Sequence, residues 1–201
     1  VDISRIDYSH LDRPEILLFL FHPRGEYSTG ERPPRAIDIL IPVEDDVVVG
    51  SRFHIADKLA PNILFFHGNG EIVADYDELG PLYNRVGLNF LAADYRGYGR
   101  STGKPTITAM MRDCHLIFEF SKKWLKDKSC TGPFIVMGRS LGSASALELA
   151  SHHRDRISGL IVESGFAYAG PLLKLLGINP EEFGFKEEEG FRNLEKIGTW
   201  D

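Results

Sequence analysis

The residues that could do chemistry are concentrated in Gly138-Arg139-Ser140-Leu141-Gly142. This pentapeptide fits G-x-S-x-G, in which a serine occupies a strained strand-to-helix turn and the flanking glycines permit a sharp bend. The context it requires is present. Phe134 to Gly138 reads as a short buried strand, and Leu141 to Ala150, crowded with Ala and Ser, reads as a helix. Such a turn presents the Ser140 hydroxyl at the end of a sheet. It also aims the Leu141 backbone N–H, at the helix start, toward negative charge developing on a bound carbonyl oxygen. The chemistry suggested is nucleophilic attack on a carbonyl.

A second stretch can contribute to the same chemistry. Asn62 to Phe66 is a continuous apolar run ended by His67-Gly68-Asn69-Gly70, a strand buried on both faces that opens into a glycine-rich loop. Backbone N–H groups around Gly68 and Asn69 can reach the same oxygen as the Leu141 N–H. Two carboxylates also end predicted strands: Asp94, after Asn89 to Ala93, and Glu163, after Ile157 to Val162.

The elements that must position these groups alternate. Ala36 to Val43 and Val47 to Ala56 read as a hairpin about a Glu44-Asp45-Asp46 turn. Apolar positions from Ile72 to Val86 recur at helical spacing, with a break or kink expected at Gly80-Pro81. Thr106 caps an amphipathic helix with Ile107, Met110, Met111, Cys114, Ile117, Phe118, Trp124 and Leu125 on one face. This order predicts an α/β fold, a mostly parallel central sheet with helices on both faces, with functional residues at the C-terminal ends of the strands. Three regions are expected: a leader and loop over 1–35, an α/β core over 36–165, and a helical, cap-like segment over 166–201 that carries the acidic run Glu187-Glu188-Glu189.

Composition narrows the function. The chain has 201 residues, 43% of them hydrophobic, enough for one core. A net charge of -6 without Lys/Arg runs argues against nucleic acid and anionic lipid as partners. The apolar run Ile16 to Phe21 is far too short for a membrane span, and the acidic residues before it do not form a secretory signal. Cys114 and Cys130 form no C-x-x-C pattern, so reduced thiols in a cytoplasmic protein are expected, with neither a metal site nor a cofactor.

Three stretches, His67-Gly68-Asn69-Gly70, Asp94-Tyr95-Arg96-Gly97-Tyr98-Gly99-Arg100-Ser101 and Gly138-Arg139-Ser140-Leu141-Gly142, resemble the α/β-hydrolase superfamily in its Bem46-like and ABHD-type branch, in that order and at that spacing. The resemblance covers about Ala36 to Glu163. It implies Ser140 as nucleophile, the Leu141 N–H as one oxyanion donor and the loop around Gly68 and Asn69 as the second. The chain order in this fold is serine, acid, histidine. His67 and Asp94 precede the serine and are therefore read as loop-fixing residues. Glu163 is a second-choice acid, since the branch resembled places its acid one strand later. His115 lies mid-helix, and His152 and His153 fall at the far end of the helix after Ser140, so none is a good base.

The catalytic aspartate and histidine implied by the resemblance are not in this sequence. The expectation is a serine hydrolase of esters, thioesters or amides, inactive as this chain alone, with the last part of the fold supplied by a further polypeptide segment that covers the edge strand 157–162. The alternative is a non-catalytic binding or scaffold protein on the same fold.

Overall fold

The computed structural model describes residues 2–27 and 33–200. The Gly30 portion of the loop expected between Arg24 and Arg35 lies outside them. The N-terminal stretch, read from sequence as a leader, forms two short 3-10 turns and helix α1 (Pro14–Leu20). Leu11, Ile16, Leu20 and Phe21 are buried in the main core. Too few turns carry this periodicity for it to show in the sequence; the helix is held by tertiary packing.

β1 (Ala36–Glu44) and β2 (Val47–His54) form the expected antiparallel hairpin. β1 is an edge strand, which accommodates Pro42 beside the register shift. β3 (Asn62–Phe66) follows, then a 3-10 turn at Val73–Tyr76 and helix α2 (Leu79–Arg85). The break expected at Gly80-Pro81 instead falls before Leu79. Pro81 occupies the first turn of α2, where its missing N–H leaves no intrahelical bond unmade. β4 (Asn89–Ala93) leads to the long helix α3 (Ile107–Asp127), whose first turn is capped by Thr106 Oγ1 accepting from the Ala109 N–H at 3.0 Å. β5 (Phe134–Arg139), α4 (Gly142–His152) and β6 (Gly159–Glu163) complete the sheet, and α5 (Ala169–Leu175) and α6 (Asn193–Ile197) follow. β6 begins two residues later than the apolar run suggests, because Ile157 buries itself in the preceding turn.

The strand order is β1-β2-β4-β3-β5-β6, parallel from β4 through β6 and antiparallel at the β1 and β2 edge. Successive residues of the central strands point to opposite faces. Leu64, Phe66, Leu91, Ala93 and Val136 join the main core with residues of α1, α3 and α4. Ile63, Phe65, Phe90, Ala92 and Met137 form a smaller core under Val73, Tyr76 and Tyr83. Both faces of the central strands are thus buried, as their unbroken apolar runs require.

One ionic network ties the hairpin to the loops around it. Arg52, 2% exposed, reaches Asp38 at 2.6 Å, Asp77 at 2.6 Å and Glu26 at 3.0 Å, and Arg100 closes on Glu26 and Asp38. The C-terminal segment packs against α4 and the N-terminal stretch: Ala169, Leu173 and Phe191 enter the main core, and the rings of Tyr8 and Phe191 meet at 6.4 Å. β6 pairs with β5 alone among the described residues, and Ile161 and Val162 remain 40% and 37% exposed.

Candidate active site

β5 delivers the chain to the C-terminal end of the sheet, and the turn into α4 is made at Ser140 with φ at +49°. This left-handed conformation is costly for a residue with a Cβ and persists only where its surroundings hold it. The Ser140 N–H donates to the Glu163 carbonyl at 2.9 Å, and the Ser140 carbonyl accepts from both the N–H and the hydroxyl of Ser143. The glycines on either side are required by packing. A Cβ at Gly138 would overlap the Gly142 backbone, and one at Gly142 would overlap the Phe66 carbonyl. The result is an exposed Ser140 at the mouth of the sheet, between the ends of β3 and β6.

The glycine-rich loop lies against it, for a Cβ placed on Gly68 would sit 3.5 Å from Ser140 Cβ. Its N–H groups differ in state. The Gly68 N–H donates to Glu71 Oε2 at 2.7 Å, and the same oxygen accepts from the Tyr76 hydroxyl at 2.7 Å. Among the described residues, neither the Asn69 N–H nor the Leu141 N–H makes a hydrogen bond. The Asn69 side chain fixes the loop from outside: its Oδ1 accepts from the His22 N–H at 2.8 Å and from the Tyr98 hydroxyl at 2.9 Å, and its Nδ2 lies 2.9 Å from His22 Nδ1. Arg139 bridges the two sides of the serine, with Nε 3.6 Å from Glu71 Oε1 and 3.8 Å from Glu163 Oε1. The Glu71 charge raises its already high pKa further.

The remaining residues singled out from sequence are accounted for as follows. His67 is fully buried, with Nδ1 2.8 Å from the Gly68 carbonyl and Nε2 3.3 Å from Asp94 Oδ1. Asp94, equally buried, accepts from the Val73 N–H at 2.8 Å. These two brace the loop from beneath. Glu163 meets Ser140 through its backbone, while its exposed carboxylate faces Arg139. Among the described residues no histidine makes a hydrogen bond or ion pair with Ser140 or Glu163. His115, His152 and His153 gather at the opposite end of α4, about 15 Å along an eleven-residue helix.

Glu71, His22 and Tyr98 were not anticipated. Glu71 directly follows the His67-Gly68-Asn69-Gly70 loop, a position from which a carboxylate can fold back onto a loop amide, but no residue pattern distinguishes it from a solvated acid.

The model of the family described as serine aminopeptidase S33 (Hydrolase_4) matches residues 57–179. Protein bem46 of Schizosaccharomyces pombe is 33% identical over 108 residues, which cover 53% of this chain and 35% of that protein. The lysophosphatidylserine lipase ABHD12 of Rattus norvegicus is 35% identical over 118 residues, 55% of this chain and 29% of that protein. The chain therefore spans about a third of the length of the curated relatives it matches. Among solved structures, Est1E from Butyrivibrio proteoclasticus, with ferulic acid bound, superposes with a TM-score of 0.60 at 20% identity, over 75% of this chain and 61% of that one. That likeness concerns the fold. The sheet order, the serine turn and the family match agree: the chain belongs to the α/β-hydrolases of the serine aminopeptidase S33 family, in the Bem46 and ABHD branch.

Proposed function

We propose that this protein is a serine hydrolase that cleaves an ester, thioester or amide through an acyl-enzyme on Ser140. The observation that carries the reading is the strained Ser140 backbone, held at φ +49° with the unbonded Leu141 N–H beside it. Strain at an exposed polar residue is stable only in a structure built around it, and a pure binding protein has no need of it. In this mechanism the Ser140 oxygen attacks the carbonyl carbon while its proton passes to a histidine. The carbonyl oxygen, now negative, accepts from the Leu141 and Asn69 N–H groups. The Gly68 N–H, occupied by Glu71, orients the loop rather than the oxyanion. Collapse of the tetrahedral intermediate expels the leaving group, which takes the proton back, and water then releases the acyl group.

In this reading the acid and the histidine come from a C-terminal portion of the protein beyond residue 201. The fraction of each relative that is matched supports this, as does the open β6 edge. A carboxyl ester is the preferred substrate class, because relatives include enzymes named lysophosphatidylserine lipase. The absence of a histidine contact to Ser140 among the described residues favours the second reading, a binding protein on a hydrolase fold. A fluorophosphonate probe separates the two in the full-length protein. Labelling that disappears in Ser140→Ala supports the hydrolase; a folded, unlabelled wild type establishes the binding protein.

A further inference from the structure

At the far end of α4 lies a group of side chains that the hydrolase reading does not use. Glu148 and His152 stand four residues apart on one face of α4, and His115 faces them from α3. Glu148 and His115 are 2% and 3% exposed. Glu148 Oε1 lies 3.5 Å from His115 Nε2 and 3.5 Å from His152 Nδ1, and the three residues bring one ligand atom each within 4.8 Å of the others.

These separations are long for N–H···O hydrogen bonds, which centre near about 2.9 Å. The two 3.5 Å separations match edges of a tetrahedron whose ligands stand about 2.1 Å from a central zinc ion, roughly 3.4 Å. His115 Nε2 is buried without a hydrogen-bond partner and points into this triangle. The outer atoms of His115 and Glu148 are already fixed. His115 Nδ1 lies 2.9 Å from His153 Nε2, Glu148 Oε2 accepts from the Tyr8 hydroxyl at 2.9 Å, and Lys196 Nζ sits 2.6 Å from the same oxygen. Outer contacts of this kind orient metal ligands. A cavity of about 570 Å³, lined by Tyr8, Ser151, His152, Glu188 and Lys196, opens beside the triangle and gives an ion a route in.

We propose that His115, Glu148 and His152 form a binding site for a divalent transition-metal cation of the zinc class, with a further coordination position open to the cavity. Two imidazoles and one carboxylate suit zinc rather than calcium or magnesium, which prefer oxygen donors. Three contacts compete. His152 Nδ1 lies 2.9 Å from the Glu148 carbonyl and 3.1 Å from Ser151 Oγ and must give up both, and Lys196 must remain on Oε2 while Oε1 takes the ion. The sequence hides this site because its residues come from two helices and match no contiguous ligand spacing. Because Tyr8 and Lys196 hold the carboxylate, a bound ion ties α3 and α4 to the N-terminal stretch and α6.

The test is calorimetric titration of metal-free full-length protein with Zn²⁺, together with visible absorption after Co²⁺ addition. One equivalent of zinc, tetrahedral cobalt bands and a raised melting temperature are expected. All three should vanish in His152→Ala, whose half-exposed side chain is dispensable for folding, and in His115→Gln, and Tyr8→Phe should weaken binding about tenfold. His10→Ala, in the same cavity wall and 3.5 Å from Glu189, should bind as the wild type does. No stoichiometric binding, or binding that survives His152→Ala, overturns the proposal.

Discussion

A Cβ on Gly142 would lie closer than 3.0 Å to the carbonyl oxygen of Phe66, so the first turn of α4 is seated directly on the end of β3. This contact sets the height of Ser140 against the neighbouring loop. Gly142→Ala should therefore cost about 3 kcal/mol, in the range of core overpacking, because backbone cannot yield as a side chain would. Gly87→Ala provides the comparison: unlike Gly142 it has a positive φ, at +79°, but nothing lies within 4 Å of the added methyl group. Its cost should be about 1 kcal/mol, from strain alone. Urea unfolding of the two variants checks the ranking; equal losses would show that α4 is not seated on β3.

Glu71 and Gly68 yield a functional prediction. With Glu71 Oε2 accepting from both the Gly68 N–H and the Tyr76 hydroxyl, the carboxylate positions the loop that faces Ser140. Glu71→Ala should lower kcat of the full-length protein on a short ester by about ten- to a hundredfold, with KM little changed, since misplaced donors harm the transition state more than the ground state. Glu71→Gln keeps an acceptor at the same place and should restore most of the loss. If both variants lose turnover equally, the negative charge matters and the positioning role falls.

How much of this was legible in the sequence follows from how local each signal is. The β3-to-β6 core was readable because unbroken apolar runs such as Ile63 to Phe66 and Asn89 to Ala93 mark strands buried on both faces, and because α3 carries its stripe over 21 residues. The Ser140 turn was readable because its glycines are adjacent in the chain. α1 was not, since Ile16 and Leu20 are only one turn apart and are buried by residues far along the sequence. Glu71 and the His115, Glu148 and His152 triangle were hidden for the same reason. Their meaning lies in partners, and the partners are assembled by the fold.

His54 should give the fold a dependence on pH. It is fully buried beneath Gly80, and among the described residues neither ring nitrogen has a hydrogen-bond partner. Burial holds its pKa below the ordinary histidine value. As pH falls through the unfolded value, near about 6.5, the unfolded chain takes up a proton that the folded chain refuses. The contribution is complete above that value and is lost as pH falls toward the folded one. Between about pH 7.5 and about pH 5.5 the wild type should lose stability that His54→Leu, similar in volume and without a titrating group, retains. Denaturant unfolding at both pH values checks this; parallel losses in the two proteins would remove His54 as the cause.

The edge of β6 carries the last prediction. Ile161 and Val162 point to opposite faces of the strand, yet are 40% and 37% exposed, and β5 alone pairs with it among the described residues. An apolar strand with one unpaired row of backbone groups is a template for further pairing, which proteins ordinarily cover. The proposed C-terminal portion, bringing the acid and the histidine, would lie along this edge. In the full-length protein those amides of 159–163 that do not bond to β5 should then exchange slowly with deuterium, and Ile161→Lys should cost about 2 kcal/mol by burying a charge where an apolar side chain packed. In the 201-residue chain the same amides should exchange fast and the same substitution should stay within about 0.5 kcal/mol, as at an ordinary surface. Fast exchange in both proteins would mean that the edge stays open, and the missing histidine would have to be sought elsewhere than beside β6.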